Sequence, residues 1–451
     1  MSRIYFGTDG IRGEFGGRLV NPAFFERLGV ALRKYLREKA TNRKRMIVVG
    51  RDSRKSGLEL ESGFIRGVSD SGIKIAKMGV VPTPAVSMYM RKKQADLGVV
   101  VTASHNPYTD NGIKFFSSGG YKIEDEVEER IEELIAVETK DDVSRGEPLI
   151  EEVNWLNEYR EYAESLLPLN CLRGWKIVVD TAHGATVNST PNVLRSYGAM
   201  VVTIGDAPNG ENINAGVGSE YPEVLGERVR LEGANLGIAH DGDGDRVVFC
   251  DESGAVLKGD EILTILAIDA LKKNKLPGKT LVTTIVSSLG LDKALEKAGA
   301  RVERVAVGDR NVTEAMLGGG YTLGGEASGH FVLGDITSTG DGLMAALRII
   351  EVLLENKKPL SQLRCGFELY PQVQCNLSVE EKIPLEEIPE LKNCVDKIED
   401  SMAGEGRILI RYSGTEPKIR LLVEATDVRT LNGAMESLKK VVIEHLEIKV
   451  S

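Results

Sequence analysis

KIVVD at 176–180, GAMVVTIG at 198–205 and LGIAHDGDGDR at 236–246 decide how this chain folds. Each is an apolar, mostly β-branched run, and the gaps between them leave room for helices. Strands alternating with helical stretches build βαβ units and mostly parallel sheets. The pattern has two further copies. MIVVG at 46–50, GIKIAKMG at 72–79 and LGVVVTASHNP at 97–107 form one; TLVTTI at 280–285, GARVERVAVG at 299–308 and YTLGGEASGH at 321–330 form the other. In such sheets ligands gather beyond the carboxyl ends of strands. Each copy's last segment ends there in a polar loop, so three related α/β domains are expected to offer one loop each to a shared cleft.

From about Phe367 the pattern changes to strand, helix, strand (RILIRY), tight turn, strand (KIRLLVEA) and a helix ending near His445. The expected fold class is therefore α/β: three related βαβ-type domains with mixed, mostly parallel sheets, plus a smaller C-terminal α+β domain around a central cleft. The expected boundaries are 1–153, 154–252, 253–366 and 367–451, with Ser144–Glu152 as the first linker. Ile123, Val127, Ile131, Leu134 and Ile135 lie at helical spacing among glutamates, which predicts a surface helix with a solvated acidic face.

Length and composition agree. At about 150 residues per domain, 451 residues make three domains and a small fourth. A net charge of −10 argues against nucleic acid, whose binding needs a basic face, but leaves small anions open. No run of eighteen apolar residues offers a membrane span, and MSRIYFGTDG lacks the apolar core of a secretory signal. Five scattered cysteines without a CxxC pair fit a reducing, cytoplasmic compartment. Glycine, at 49 residues, is in surplus, and the surplus falls in the polar loops.

Four loops carry the chemistry. Asp241, Asp243 and Asp245 alternate with glycines ahead of Arg246. On an extended backbone the three carboxylates share a face and suit a hard cation such as Mg²⁺, Mn²⁺ or Ca²⁺. An EF-hand is excluded because Arg246 stands at the sixth position, where that loop needs glycine. Thr102–Pro107 follows an apolar strand and sets Ser104 on an exposed turn, with His105 beside it. Serine is a weak nucleophile unless deprotonated or pre-loaded, and no GxSxG elbow occurs. Arg411, Ser413, Gly414, Thr415 and Arg420 compose a phosphate cradle: hydroxyls and an open backbone between two arginines. Glu326 and Ser328, in a loop with Gly324, Gly325 and Gly329, are suited to sugar hydroxyls, while the adjoining His330 reads equally as a substrate contact or a satisfied structural histidine.

Together with FGTDGIRG (6–13), TASHNPYTDNGIKFF (102–116), APNGENIN (207–214) and VGDR (307–310), these loops resemble the α-D-phosphohexomutase superfamily along essentially the whole chain. Within it the bacterial phosphoglucosamine mutase family is the most similar. The resemblance implies interconversion of glucosamine 6-phosphate and glucosamine 1-phosphate, with a phosphosugar as the small-molecule partner and room for a homodimer. It implies covalent phosphate on Ser104, one Mg²⁺ held by Ser104, Asp241, Asp243 and Asp245, and a sugar bisphosphate intermediate. Glu326 and Ser328 would read sugar hydroxyls, and the 411–420 loop would hold the phosphate not being transferred. Arg12, Lys114, Arg246 and Arg310 would balance the site's negative charge, with Lys114 or His105 handling the proton. Ala327 departs from the pattern: the amino-sugar enzymes usually carry Gln there and the glucose/mannose relatives Met. A phosphomannomutase or phosphoglucomutase of the same mechanism is thus the alternative. A haloacid-dehalogenase-type phosphatase, with Asp241 as nucleophile and Asp335 or Asp341 downstream, is the remote one.

Overall fold

β-branched and apolar residues at 45–51, 176–180 and 280–284 found three sheets whose central strands are buried on both faces. A computed structural model describes residues 4–7, 9–39, 45–70, 72–136, 149–364, 367–368, 370–413 and 417–448. The first sheet holds β1 (Ile11–Glu14), β2 (Arg45–Arg51), β3 (Ile73–Val80), β4 (Leu97–Val101), β5 (Asp110–Ser117) and β6 (Leu149–Glu152). The second holds β7 (Lys176–Asp180), β8 (Met200–Ile204), β9 (Leu236–His240), β10 (Val247–Cys250) and β11 (Val256–Leu257). The third holds β12 (Thr280–Thr284), β13 (Arg301–Val305), β14 (Leu323–Gly325) and β15 (Phe331–Leu333).

The three copies share one topology. Parallel trios β3-β2-β4, β8-β7-β9 and β13-β12-β14 each end beside an antiparallel strand: β5, β10 and β15 respectively. The polar loops at 102, 241 and 326 leave the corresponding strand of each trio, β4, β9 and β14. The C-terminal sheet is antiparallel, β16 (Gln372–Ser378), β18 (Lys418–Ala425) and β17 (Gly406–Tyr412) in that order. Helices Pro389–Met402 and Val428–His445 cover it, the second capped by Asp427, which accepts the N–H of Thr430 at 2.9 Å.

One buried apolar cluster runs through the first three domains, joining Val48 and Phe116, Ile177 and Phe249, and Leu263 and Phe331. The C-terminal domain builds its own from residues such as Leu391, Ile419, Val423 and Leu438.

Three local expectations need correction. Leu149–Glu152 is not linker but a strand, paired in parallel with β3; residues 144–148 lie outside the described residues. The second sheet continues past residue 252, because β11 folds back antiparallel on β10. The helix Asp125–Ala136 does not solvate all its glutamates. Glu132 is buried and accepts the N–H groups of Ile4, Tyr5 and Phe6 at 2.7–2.9 Å; Glu128 is buried against Arg310. A helical-spacing pattern cannot show that another segment will cover the polar face.

Candidate active site

Ser104 is buried, not exposed, because the loop containing Asn214 lies over the turn. Its backbone is left-handed (φ 53°), a conformation costing about 1 kcal/mol or more outside glycine. What holds it there is Arg54, itself fully buried. The Arg54 Nη2 donates to the carbonyls of Ser104 (3.0 Å) and Asn106 (2.8 Å), and Nη1 to those of Asp110 (2.9 Å) and Pro107. Asn214, from the second domain, donates to the same Ser104 and Asn106 carbonyls at 2.9 and 3.0 Å. Asp52 completes the clamp, accepting from Arg54 Nε at 2.9 Å and Thr102 Oγ1 at 2.7 Å. The Thr102 hydroxyl in turn accepts the Ser104 N–H at 2.8 Å. Sequence reading missed Asp52 and Arg54. The available signal was two opposite charges immediately after β2, at the carboxyl end where ligands gather.

The aspartate loop converges, though by a different backbone from the one expected. Residues 241–246 form turns rather than an extended strand, with Gly244 at φ 74°. One ligand oxygen from each of Asp241, Asp243 and Asp245 lies within 4.8 Å of the others, and all three residues are buried. Gly242 is required by close approach: a Cβ there would lie 2.7 Å from the Ser104 carbonyl oxygen. The Ser104 Oγ donates to Asp241 Oδ2 at 2.5 Å, and His105 Nδ1 stands 3.4 Å from the same hydroxyl. Thr83 Oγ1 donates to Asp243 Oδ2 at 2.6 Å. Asp243 Oδ1 and Asp245 Oδ1 are buried with no hydrogen-bond partner among the described residues. Such orphan carboxylate oxygens are expensive unless a cation takes their lone pairs, and the all-oxygen set fits a hard divalent ion. This cluster is a metal site.

Electrostatics divide the triplet. Burial and the charges of Asp245 and Asp243 push the Asp241 carboxyl well above its usual range. Burial also opposes ionisation of Asp245, but Lys114 overrides it and holds that carboxyl well below. Lys114 is buried with Nζ 2.9 Å from Asp243, 2.7 Å from Asp245 and 3.3 Å from Asp9. These anions outweigh its desolvation and keep it charged. Burial, then Arg246 and Arg12, lower His105 to about 4, so its ring is neutral at neutral pH.

A second ring of alternating charge surrounds this centre. Asp9 pairs with Arg12 and Lys122; Lys122 also reaches Asp309 at 2.5 Å. His330 stands between Asp309 (3.4 Å) and Asp245 (3.8 Å). Asp9, Lys122 and Asp309 were not singled out in the sequence, although two of them sit inside quoted motifs. Arg246 approaches Glu220 at 3.8 Å and is held protonated, against its burial, by Asp241 and Asp245. Glu326 accepts the Gly308 N–H at 3.2 Å; Ser328 is exposed. Arg310 has other partners: it pairs with Asp125 and, at 2.5 Å, with Glu128, tying the third domain to the first. Asp335 pairs with Arg348 at 2.8 Å, and Asp341 accepts the Tyr159 hydroxyl at the start of a helix, so both are engaged elsewhere.

On the C-terminal hairpin Arg411 and Arg420 face each other directly across β17 and β18. Like charges in that register repel, an arrangement an anion would relieve. Arg420 Nη2 donates to Ser413 Oγ at 3.2 Å, and Lys382 Nζ to the Ser413 carbonyl at 2.7 Å. Gly414 and Thr415 lie outside the described residues.

Comparison with known proteins matches the organisation into four domains. The phosphoglucomutase/phosphomannomutase family models match domain by domain: alpha/beta/alpha domain I at residues 3–142, domain II at 157–254, domain III at 258–370 and the C-terminal domain at 375–441. The phosphoglucosamine mutase of Syntrophotalea carbinolica is 41% identical, over 100% of this chain and 99% of that one. That of Aeromonas hydrophila is 45% identical over 94% and 95%. The chain belongs to the phosphoglucosamine mutase branch of the phosphoglucomutase/phosphomannomutase family. The fold of this family recurs in a solved phosphoglucomutase/phosphomannomutase family protein from Burkholderia thailandensis, with a TM-score of 0.82 at 23% identity, covering 98% and 99%. It recurs also in an N-acetylphosphoglucosamine mutase from Aspergillus fumigatus, at 0.66 and 17%, covering 98% and 96%. No described helix is long and apolar enough to cross a membrane.

Proposed function

We propose that this mutase interconverts glucosamine 6-phosphate and glucosamine 1-phosphate through a phosphorylated Ser104 and a sugar bisphosphate. The observation carrying the chemistry is the Ser104 hydroxyl 2.5 Å from Asp241, inside a buried carboxylate triplet. In this reading Asp241, Asp243 and Asp245, with the phosphate on Ser104, would hold one Mg²⁺. When bound, that ion supplies charge neutralisation at the phosphoryl oxygens.

The rest falls to the chain's own residues. The bond from phosphorus to Ser104 Oγ breaks as phosphorus bonds to the free sugar hydroxyl; His105 takes that hydroxyl's proton and returns one to the departing Ser104 Oγ, which leaves as a neutral hydroxyl. His105 is favoured over Lys114 on geometry, because its ring nitrogen faces Ser104 Oγ while the Lys114 ammonium is committed to three carboxylates. The bisphosphate then returns its other phosphate to Ser104, restoring the enzyme. Arg12 and Arg246 balance charge, Glu326, Ser328 and His330 face the sugar, and Arg411, Ser413, Gly414, Thr415 and Arg420 grip the phosphate that stays. Arg310 must exchange its carboxylate partners to reach substrate.

The aligned relatives at 41–45% identity support the amino sugar, and Ala327 makes the choice worth testing. Turnover of glucosamine, glucose and mannose 6-phosphates on one preparation should rank glucosamine first. A glucose or mannose preference would replace the substrate while keeping the mechanism.

A further inference from the structure

The joint between the third and C-terminal domains converges on one spot, the amino end of the helix Leu289–Ala298. Glu424 of β18 is fully buried there and accepts from Ser288 Oγ at 2.6 Å and from the Leu289 N–H at 2.9 Å. Arg407 of β17 lies directly opposite Glu424 and bonds it through Nε at 2.8 Å. The same guanidinium donates to the carbonyls of Ile285 (3.0 Å) and Ser287. Arg304 braces this loop from within the third domain, donating to the Thr284, Ser287 and Ser288 carbonyls at 2.9–3.1 Å. The connecting chain crosses the same point, where a Cβ on Gly290 would lie 2.1 Å from the Glu368 carbonyl oxygen.

The position of this lock on the hairpin matters. Arg407 and Glu424 form one directly opposed pair on β17 and β18; Arg411 and Arg420 form another, four residues along. Side chains four apart on a strand share a face, so both pairs line one side of the hairpin, separated by about 14 Å. One pair bolts that face to the third domain while the other presents two cations beyond it.

We propose that Arg407 and Glu424 are positioning residues, fixing how far the opposed pair Arg411 and Arg420 reaches toward the phosphosugar. This rests on reading that pair as the phosphate cradle. They act on binding through the cradle, and touch neither sugar nor phosphate.

Steady-state kinetics with glucosamine 6-phosphate test this. Glu424→Gln keeps the side chain's shape and an acceptor oxygen while removing the charge, and should raise KM about tenfold with kcat held within about threefold. Arg407→Lys, which leaves Glu424 bonded to Ser288 and Leu289, should do the same and carries the test if Glu424→Gln does not fold. The discriminating readout is the combination with Arg411→Ala. Once the cradle arginine is gone, misplacing it has no further effect, so the double variant's KM should match that of Arg411→Ala alone. Multiplying effects, or unchanged KM in both lock variants while Arg411→Ala raises it, would overturn the lock. An unchanged KM in Arg411→Ala would instead remove the cradle itself, and the lock's role with it.

Discussion

Around Ser104 the backbone carbonyls are gripped by Arg54 and Asn214, from two domains that share one apolar core. The loop at Ser413, by contrast, belongs to a domain with its own core, bolted on through charged and hydroxyl groups at a polar joint. The difference is energetic. Separating the first three domains would expose many fully buried side chains, each contributing about 1.5–3 kcal/mol. Loosening the joint exchanges hydrogen bonds worth about 1 kcal/mol net apiece for bonds to water. The Ser104 end is therefore built to hold still and the Ser413 end is held by a joint that costs less to shift, as the proposed chemistry, in which the same sugar is gripped first by one phosphate and then by the other, would require.

Variants can break this contrast, and the largest effects belong at the rigid end. Ser104→Ala should lower kcat by at least about a thousandfold while phosphosugar binding, measured by calorimetry, persists. Substantial remaining turnover would remove Ser104 from the chemistry. Asp243→Ala takes away a partner of Lys114 and Thr83 as well as a metal oxygen. It should lower kcat by about a hundredfold or more and abolish the response to added Mg²⁺. A normal Mg²⁺ titration would place the ion elsewhere.

Arg54→Lys should lower kcat about tenfold or more with KM little changed, because Ser104 loses its grip while the cradle is untouched. Thermal unfolding should fall too, since the change weakens the buried pair with Asp52. An increase in KM alone would mean that Arg54 serves binding. The smallest effect on kcat belongs at the adjustable end: Arg411→Ala should raise KM about tenfold or more and change kcat less. Should it reduce kcat as severely as Arg54→Lys, the two ends would not be divided as described.

What was legible in the sequence follows the same division. The threefold repeat and the four loops could be read because each is a contiguous pattern. The aspartate triplet could be found for the same reason, although turns through a left-handed Gly244 bring it together rather than an extended strand. Arg54 was overlooked because, apart from Asp52, its partners are main-chain carbonyls, which carry no side-chain signature. The burial of Ser104 was invisible because its cover comes from Asn214, more than a hundred residues away. Arg310 was assigned to the cleft from its motif, but only the folded chain brings Asp125 and Glu128 against it.

The phosphorylated enzyme offers the most direct trial. Incubation with labelled glucose 1,6-bisphosphate, followed by proteolysis and mass mapping at mildly acidic pH, should locate one acid-stable phosphate on the peptide bearing Ser104, chased off by unlabelled glucosamine 6-phosphate at a rate matching turnover. Label on Asp241 instead, discharged by base or hydroxylamine, would contradict the account at its root.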